Sequence, residues 1–317
     1  MKSILVTGGA GYIGSHACKE LANAGLRPVV FDDFSGGHRE FVKWGPLVEG
    51  KLQDEELLRK TMRDHRIEGV MHFASSIVVS ESVANPRKYY ENNVAGSLAL
   101  LGAVKDSGIS RFVFSSTAAV YGIPTQLPID EDHPKNPINP YGVTKLLMEN
   151  ALQDYSRAYG WKSVALRYFN ASGSDPEGEL WEDHEPETHL IPNAVRALKD
   201  PGYSLKIFGK DYPTSDGTCI RDYIHVRDLA RAHVAALSKL DQLDSFQAFN
   251  LGIGKGFSVL EVIRAVEERF QKQVKVEFAP RREGDPAVLL ADSKRARSIL
   301  GWEPEYTTIA SIVSTLL

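Results

Sequence analysis

Tyr141 and Lys145, four residues apart in YGVTK, are the pair in this sequence from which acid–base chemistry on a hydroxyl can be built. At i, i+4 spacing they share a helix face, and Pro140 suits the first turn of that helix. A lysine ammonium close to a phenol lowers the phenol's pKa and makes its oxygen a usable base near neutral pH. An ordinary solvated helix also carries such pairs, so the spacing alone decides nothing. Upstream, SSTAAVYG ends an apolar run with Ser115, Ser116 and Thr117. Open α/β sheets gather ligands at such strand ends, where Thr117 can hydrogen-bond the same hydroxyl.

A second cluster opens the chain. VTGGAGYIGSH contains GxGxxG (Gly9, Gly11, Gly14) and, in an overlapping frame, GxxGxxG (Gly8, Gly11, Gly14). Both follow the strand-like ILVT and precede a helical stretch from Tyr12 to Ala24, the context in which glycines let backbone N–H groups approach a pyrophosphate. A tight turn that binds nothing explains glycines alone. Asp32, at the end of the next apolar run and 18 residues after Gly14, adds an acceptor for a ribose 2′-hydroxyl. Its charge would repel a 2′-phosphate, which predicts NAD rather than NADP, although Arg39 stands nearby.

The elements that must position these residues are legible as alternation. SILVT, RPVVFDD, GVMHFA, RFVFSST and SVALRYFN read as buried strands; between them lie helical stretches such as DEELLRKTMRDH and NNVAGSLALLGAVKDSG, the latter stopping at Gly108. This predicts an α/β fold: a Rossmann-type, doubly wound parallel sheet with a smaller C-terminal α/β substrate-binding lobe. The polar, acidic stretch from Ser172 to Pro192 reads as a long loop between the two. The expected division is 1–170 for the NAD-binding domain and mainly 171–317 for the substrate lobe, with some later segments returning to the first sheet. SLKIFG, AFNLGIG and VKVEFAP are the later strand candidates, and no internal repeat is visible.

Composition excludes several classes. The 317 residues carry a net charge of −4, which speaks against nucleic acid or an anionic membrane as a partner. No apolar run approaches a membrane span. Cys18 and Cys219 are the only cysteines, so no disulfide framework is expected and a reducing cytoplasm fits. No two histidines stand at HxH or HxxxH spacing; the nearest pair, His184 and His189, lies in the acidic loop, and no metal site is expected.

The same stretches, together with HFA, ESV, YYENNV, NPYGVTK, LRYFN, THLIP, IFGKDYPTSDGTCIRDYIHVRDLA, FNLGIG and PRREGDPA, resemble the extended short-chain dehydrogenase/reductases, and within them the UDP-glucose 4-epimerases. The likeness runs from residue 3 to about residue 300. It implies an NAD-dependent isomerase in which Tyr141 takes the sugar 4-OH proton, with Lys145 and Thr117 beside it. C4 is oxidised, the 4-keto sugar swings, and hydride returns to the opposite face. Cofactor contacts are then implied at Gly8, Gly11, Tyr12, Ile13, Gly14, Asp32, Asp33, Leu52, Phe73, Ala74, Asn92, Ser115, Tyr141, Lys145 and Tyr168. The UDP-sugar falls to Thr117, Tyr141, Asn170, His189, Leu190, Lys206, Phe208, Arg221, Tyr223, Arg282, Asp285 and Leu289, and a homodimer is implied. Phe208 reads equally as core, and Arg282 as half of a solvated Arg-Arg pair.

Three positions depart from the best-known bacterial pattern: Lys51 replaces an aspartate, Ile77 a lysine, and Leu289 a bulky tyrosine beside the sugar 2-substituent. The last predicts a roomier pocket for N-acetylated sugars. Rivals on the same scaffold are a 4,6-dehydratase, a UDP-glucuronate decarboxylase, and epimerases of UDP-glucuronate or a UDP-pentose. A dehydratase needs an acid and a base where Ala118 and Ala119 stand. A non-catalytic, redox-sensing NAD protein would keep the glycines but usually lose Tyr141 and Lys145.

Overall fold

The computed structural model describes residues 1–282 and 284–317. Its main sheet is built from runs whose side chains are buried on both faces, the reason they read as continuous Val, Ile and Phe rather than as alternation. In chain order these are β1 (Ser3–Thr7), β2 (Arg27–Asp32), β3 (Leu47–Glu49), β4 (Ile67–His72), β5 (Arg111–Thr117) and β6 (Lys162–Tyr168). After β7 (Asn170–Ser172), β8 (Leu205–Phe208) and β9 (Ile220–His225), a seventh strand, β10 (Phe246–Leu251), joins them along β6. The sheet is parallel with order β10-β6-β5-β4-β1-β2-β3. The order turns back between β1 and β4, where open α/β sheets leave a crevice at their carboxyl ends.

Helices cover both faces. On one side α1 (Tyr12–Asn23) packs Ala17, Cys18 and Leu21 into the core. On the other, α2 (Glu55–Asp64) contributes Leu58 and Met62, while Leu57 is only half-buried. Two short helices, α3 (Val79–Ala84) and α4 (Pro86–Tyr89), lead into a π-helical turn, Tyr90–Gly96, and then α5 (Ser97–Asp106). The stretch predicted as one helix from Asn92 therefore has a wider-wound start. Its continuation buries Leu100, Leu101 and Val104 beside Met148 and Leu152 of α6 (Pro140–Tyr159).

The remaining segments form a lobe around α7 (Leu190–Lys199) and, later in the chain, α9 (Val259–Phe270), whose Ile191, Val262 and Val266 share a core with Leu205, Ile207 and Tyr223. Between them α8 (Val226–Lys239) leaves that lobe and lays Leu229, Ala232 and Ala236 against α1, on the first sheet. Small sheets finish the lobe: β9 pairs with β7, with β11 (Gly256–Ser258) and with β13 (Val288–Leu289), while β8 pairs with β12 (Val276–Ala279).

Candidate active site

The glycine turn joins β1 to α1 and cannot carry side chains. A Cβ on Gly14 would sit 2.1 Å from the Gly8 carbonyl oxygen, and one on Gly8, which has φ +71°, would sit 2.5 Å from the Ala74 amide nitrogen. Helix α1 starts at Gly11 without a side-chain cap, so Tyr12, Ile13 and Gly14 offer the first backbone N–H groups of a helix to an anion. Asp32 is buried at the end of β2 and its carboxylate accepts from the Ala10 and Phe34 amides, both at 2.9 Å. Burial raises its pKa against these two hydrogen bonds. Arg39, the residue compatible with a 2′-phosphate, is paired with Glu49 and lies over the Phe34 ring. A glycine cradle, an uncapped helix and an acidic strand end fit a dinucleotide with a free 2′-hydroxyl.

Around the crevice, Leu52 is buried, Phe73 and Ala74 continue β4 with both amides donating to the Thr7 carbonyl, and the Asn92 amide reaches the Ser76 hydroxyl at 3.1 Å. Asp33 is exposed and accepts from the Ser35 amide.

Tyr141 and Lys145 project from the first turns of α6, which Asn139 caps by accepting from the Gly142 amide at 2.9 Å. Lys145 is buried; its ammonium donates to the Ser115 carbonyl at 2.9 Å, 5.0 Å from the centre of the Phe114 ring and 5.8 Å from that of Tyr141. Tyr141 meets Tyr89 edge-on, and the Thr117 hydroxyl at the end of β5 accepts from the Ala119 amide at 3.1 Å. Ser115 Oγ bonds the Tyr168 hydroxyl. Here the electrostatics differ from the expectation that Lys145 pulls the phenol down. Burial pushes Tyr141 up to about 12, opposed by the Thr117 hydrogen bond, and pushes Lys145 down to about 7, opposed by the charge of Glu149. Losing water outweighs the pairing, because it disfavours both charged forms at once.

A buried polar network underlies this pair and escaped the sequence reading. Glu149 accepts from Ser116 Oγ at 2.6 Å and from Arg167 at 2.9 Å and 2.5 Å; Arg167 also donates to the Tyr121 hydroxyl at 2.9 Å. Tyr121 in turn donates to the Asn250 side chain at 2.6 Å, and the Asn250 amide to Glu131 at 2.7 Å. The one available signal was a pair of ionisable residues, Glu149 and Arg167, inside otherwise buried patterns.

The lobe brings Asn170, His189, Leu190 and Tyr223 to one small cavity. Asn170 Nδ2 donates to the Asp222 carbonyl at 3.0 Å, and His189 precedes the first residue of α7. Further out, Arg282 stacks its guanidinium 4.0 Å from the centre of the Phe208 ring. Arg221 and Asp285 pair with each other. Leu289 lies opposite Arg221 in the β9–β13 register and packs with Ala118 and Phe169 against Val120, Tyr121 and Ile129. Lys206 is exposed on the face of β8 that also carries Phe208. His225, which the sequence leaves without chemistry, caps α8 by accepting from the Arg227 amide at 3.1 Å.

A Rossmann-type sheet with a glycine cradle, a strand-end aspartate and a half-buried tyrosine beside a buried lysine at its carboxyl edge defines a dinucleotide-dependent enzyme with an acid–base pair at the cofactor crevice. Residues 4–252 match the sequence pattern of the NAD dependent epimerase/dehydratase family, and the chain belongs to it. A UDP-glucose 4-epimerase of Rhizobium leguminosarum bv. trifolii is 52% identical over 305 residues, 96% of this chain and 93% of that one. The crystal structure of the Brucella ovis UDP-glucose 4-epimerase in complex with NAD superposes with a TM-score of 0.97 at 48% identity, covering 99% of this chain and 97% of that one. A Bifidobacterium longum UDP-glucose 4-epimerase in complex with NAD+ and UDP does so with 0.92 at 38% identity, covering 99% and 96%.

Proposed function

We infer that this chain catalyses NAD-dependent epimerisation at C4 of UDP-glucose and UDP-galactose. The observation that carries the reading is the grouping of half-buried Tyr141 with buried Thr117 and Lys145 at the carboxyl edge of the sheet, with Ala118 and Ala119 beside it, where elimination chemistry would need proton-carrying side chains. Bound NAD supplies a reversible hydride acceptor and, when oxidised, a positive charge that lowers the phenol's pKa from its raised value.

The protein's own part is positional. Tyr141 accepts the proton of the sugar 4-OH and returns it to the same oxygen after the ring has turned, so no proton is gained or lost over the cycle. Thr117 orients that hydroxyl, and the Ser115 carbonyl holds Lys145 at the base of the phenol. The uridine diphosphate is the tether about which the 4-keto sugar turns, held by Asn170, Leu190, Tyr223, Phe208, Arg221 and Arg282. Asp285 then exchanges Arg221 for a ribose hydroxyl.

Two further parts of the reading rest on surface chemistry. Leu98 of α5 and Leu147 of α6 are 42% and 40% exposed, apolar positions that a second copy of the chain would cover. Both cysteines are buried and free, and among the described residues no helix is long and apolar enough to cross a membrane, which suits a cytoplasmic enzyme. The decisive experiment is incubation of the purified protein with UDP-galactose and no added NAD. Formation of UDP-glucose supports a 4-epimerase that retains its cofactor; absence of product even with NAD supplied overturns the assignment.

A further inference from the structure

Residues 173–189 run without helix or strand between β7 and α7, and cross the start of α1, where the Tyr12 hydroxyl donates to the Gly173 carbonyl at 2.6 Å. Within this loop, EDHEPETH turns Glu182, His184, Glu187 and His189 toward one another, so that one donor atom of each lies within 4.8 Å of all the others. His184 Nδ1 is 3.6 Å from Glu182 Oε1 and 3.5 Å from Glu187 Oε2; His189 Nδ1 is 3.5 Å from Glu187 Oε1 and 2.6 Å from Glu182 Oε1. Four ligands held tetrahedrally at ordinary zinc–nitrogen and zinc–oxygen lengths are about 3.3–3.5 Å apart, close to three of these four spacings.

Hydrogen bonding accounts for only part of the arrangement: Glu187 Oε1 accepts from the Thr188 and His189 amides, both at 2.7 Å. The Glu182 side chain is only 5% exposed, yet its Oε1 and His184 Nδ1 are buried without a correctly directed hydrogen-bond partner. Short N···O separations without donor alignment are what lone pairs converging on one centre produce. Charge points the same way. The loop's other acidic group, Asp175, Glu177 and Glu179, is met by the Lys19 ammonium. Among the described residues, Glu182 and Glu187 have only the two histidines as potentially cationic partners. A protonated His189, whose pKa the two carboxylates raise against burial to about 9, offers them one positive charge against two negative ones, and a divalent ion in its place would balance both.

We propose that Glu182, His184, Glu187 and His189 bind one divalent transition-metal ion of zinc's chemistry, which locks the 182–189 turn. Two imidazoles and two carboxylates fill a tetrahedral shell, so the ion is structural and leaves no position for a reacting water. His189 is then committed to the metal instead of to substrate, and the ion fixes the turn from which α7 begins. Histidine spacing looked uninformative because HxxxH presumes a helix, whereas a loop brings ligands together at any separation. The metal site stands on the loop geometry alone; its effect on nucleotide-sugar binding rests on the function proposed above.

The test uses the full-length protein without a histidine tag. Metal content by mass spectrometry is expected near one zinc per chain after growth with zinc, and about one site should appear in calorimetric titration of chelator-treated protein. The chelator should lower the melting temperature by several degrees and zinc should restore it. His184→Gln and Glu187→Gln should each abolish most zinc binding while NAD binding, read by fluorescence, persists. The proposal is overturned if metal-free wild-type protein takes up no zinc at micromolar concentration, or if both variants bind zinc as the wild type does. Should a variant fail to fold, the wild-type titration decides alone.

Discussion

The catalytic edge and the nucleotide lobe solve the problem of holding polar groups in opposite ways. Beneath Tyr141, Glu149 and Arg167 are both within 3% of complete burial and answer each other, with one further bond from Ser116 to Glu149 and two from Arg167, to the Tyr121 hydroxyl and the Glu131 carbonyl. In the lobe, Arg282 lies on Phe208, Arg221 and Asp285 pair with each other, and Lys206 is in solvent. The first arrangement is finished before any ligand arrives. On the proposed function, the second gives up partners to bind one. Preorganisation sits where a proton has to move over a fraction of an ångström, and exchangeable pairs sit where a large flexible handle has to be caught and released.

The contrast breaks most sharply at its centre. Tyr141→Phe removes the proton acceptor, and kcat should fall by about 10²–10⁴-fold or more with bound NAD retained, measured by UDP-galactose conversion and by cofactor released on denaturation. If the variant turns over normally, the base lies elsewhere. Glu149→Gln leaves Arg167 buried without its counter-charge and should cost about 3–5 kcal/mol of stability in denaturant unfolding. A loss below ~1 kcal/mol would show that the network behaves like a surface pair and is not preorganised.

The next effect depends on pH. His72 lies 2.6 Å from Thr7 Oγ1 and 2.8 Å from Ser97 Oγ, and burial, with the charge of Lys145, lowers its pKa from 6.5 to about 3. The unfolded chain binds this proton below pH 6.5 and the folded chain does not, so stability is lost as the pH falls from there toward 3. At pH 5 the share of one such imidazole is about 2 kcal/mol. In His72→Asn, the stability difference between pH 7 and pH 5 should shrink by that amount; an unchanged slope would mean that His72 is protonated in the fold. Smallest is the effect of Asp285→Asn, which releases Arg221. KM for the UDP-sugar should change by a few-fold with kcat nearly constant, the mark of a group that binds ground and transition states alike. A change confined to kcat would place Asp285 with the catalytic edge instead. At the boundary between the two regions, Leu289→Tyr should narrow the pocket and reduce turnover of UDP-N-acetylglucosamine relative to UDP-glucose. Undetectable turnover of the N-acetylated sugar by the active parent would remove the basis for that expectation.

How much of this the sequence discloses follows the same division. Strands β1, β2, β4, β5 and β6 could be read because a strand buried on both faces must be continuously apolar, and the glycine turn because no other residue fits where Gly14 faces the Gly8 carbonyl. Tyr141 and Lys145 are adjacent on a helix and so are visible as spacing. The network under them joins Glu149, Arg167, Tyr121 and Asn250, which come from α6, β6, the turn after β5, and β10. No local pattern relates them, since only the sheet order brings β10 beside β6. The pKa values of Tyr141 and Lys145 were hidden for a similar reason: spacing announces their proximity, while burial, a property of the whole fold, decides their charge.

The return of α8 and β10 to the first sheet carries a consequence for evolution and engineering. A single cut near residue 170 would strip the sheet of its outer strand, remove the helix that covers α1, and take Asn250 from the Tyr121 hydroxyl. Substrate preference in this scaffold therefore cannot be transplanted as a contiguous C-terminal module. It must be rewritten in two inserts, one before α8 and one after β10, around a core that stays in place.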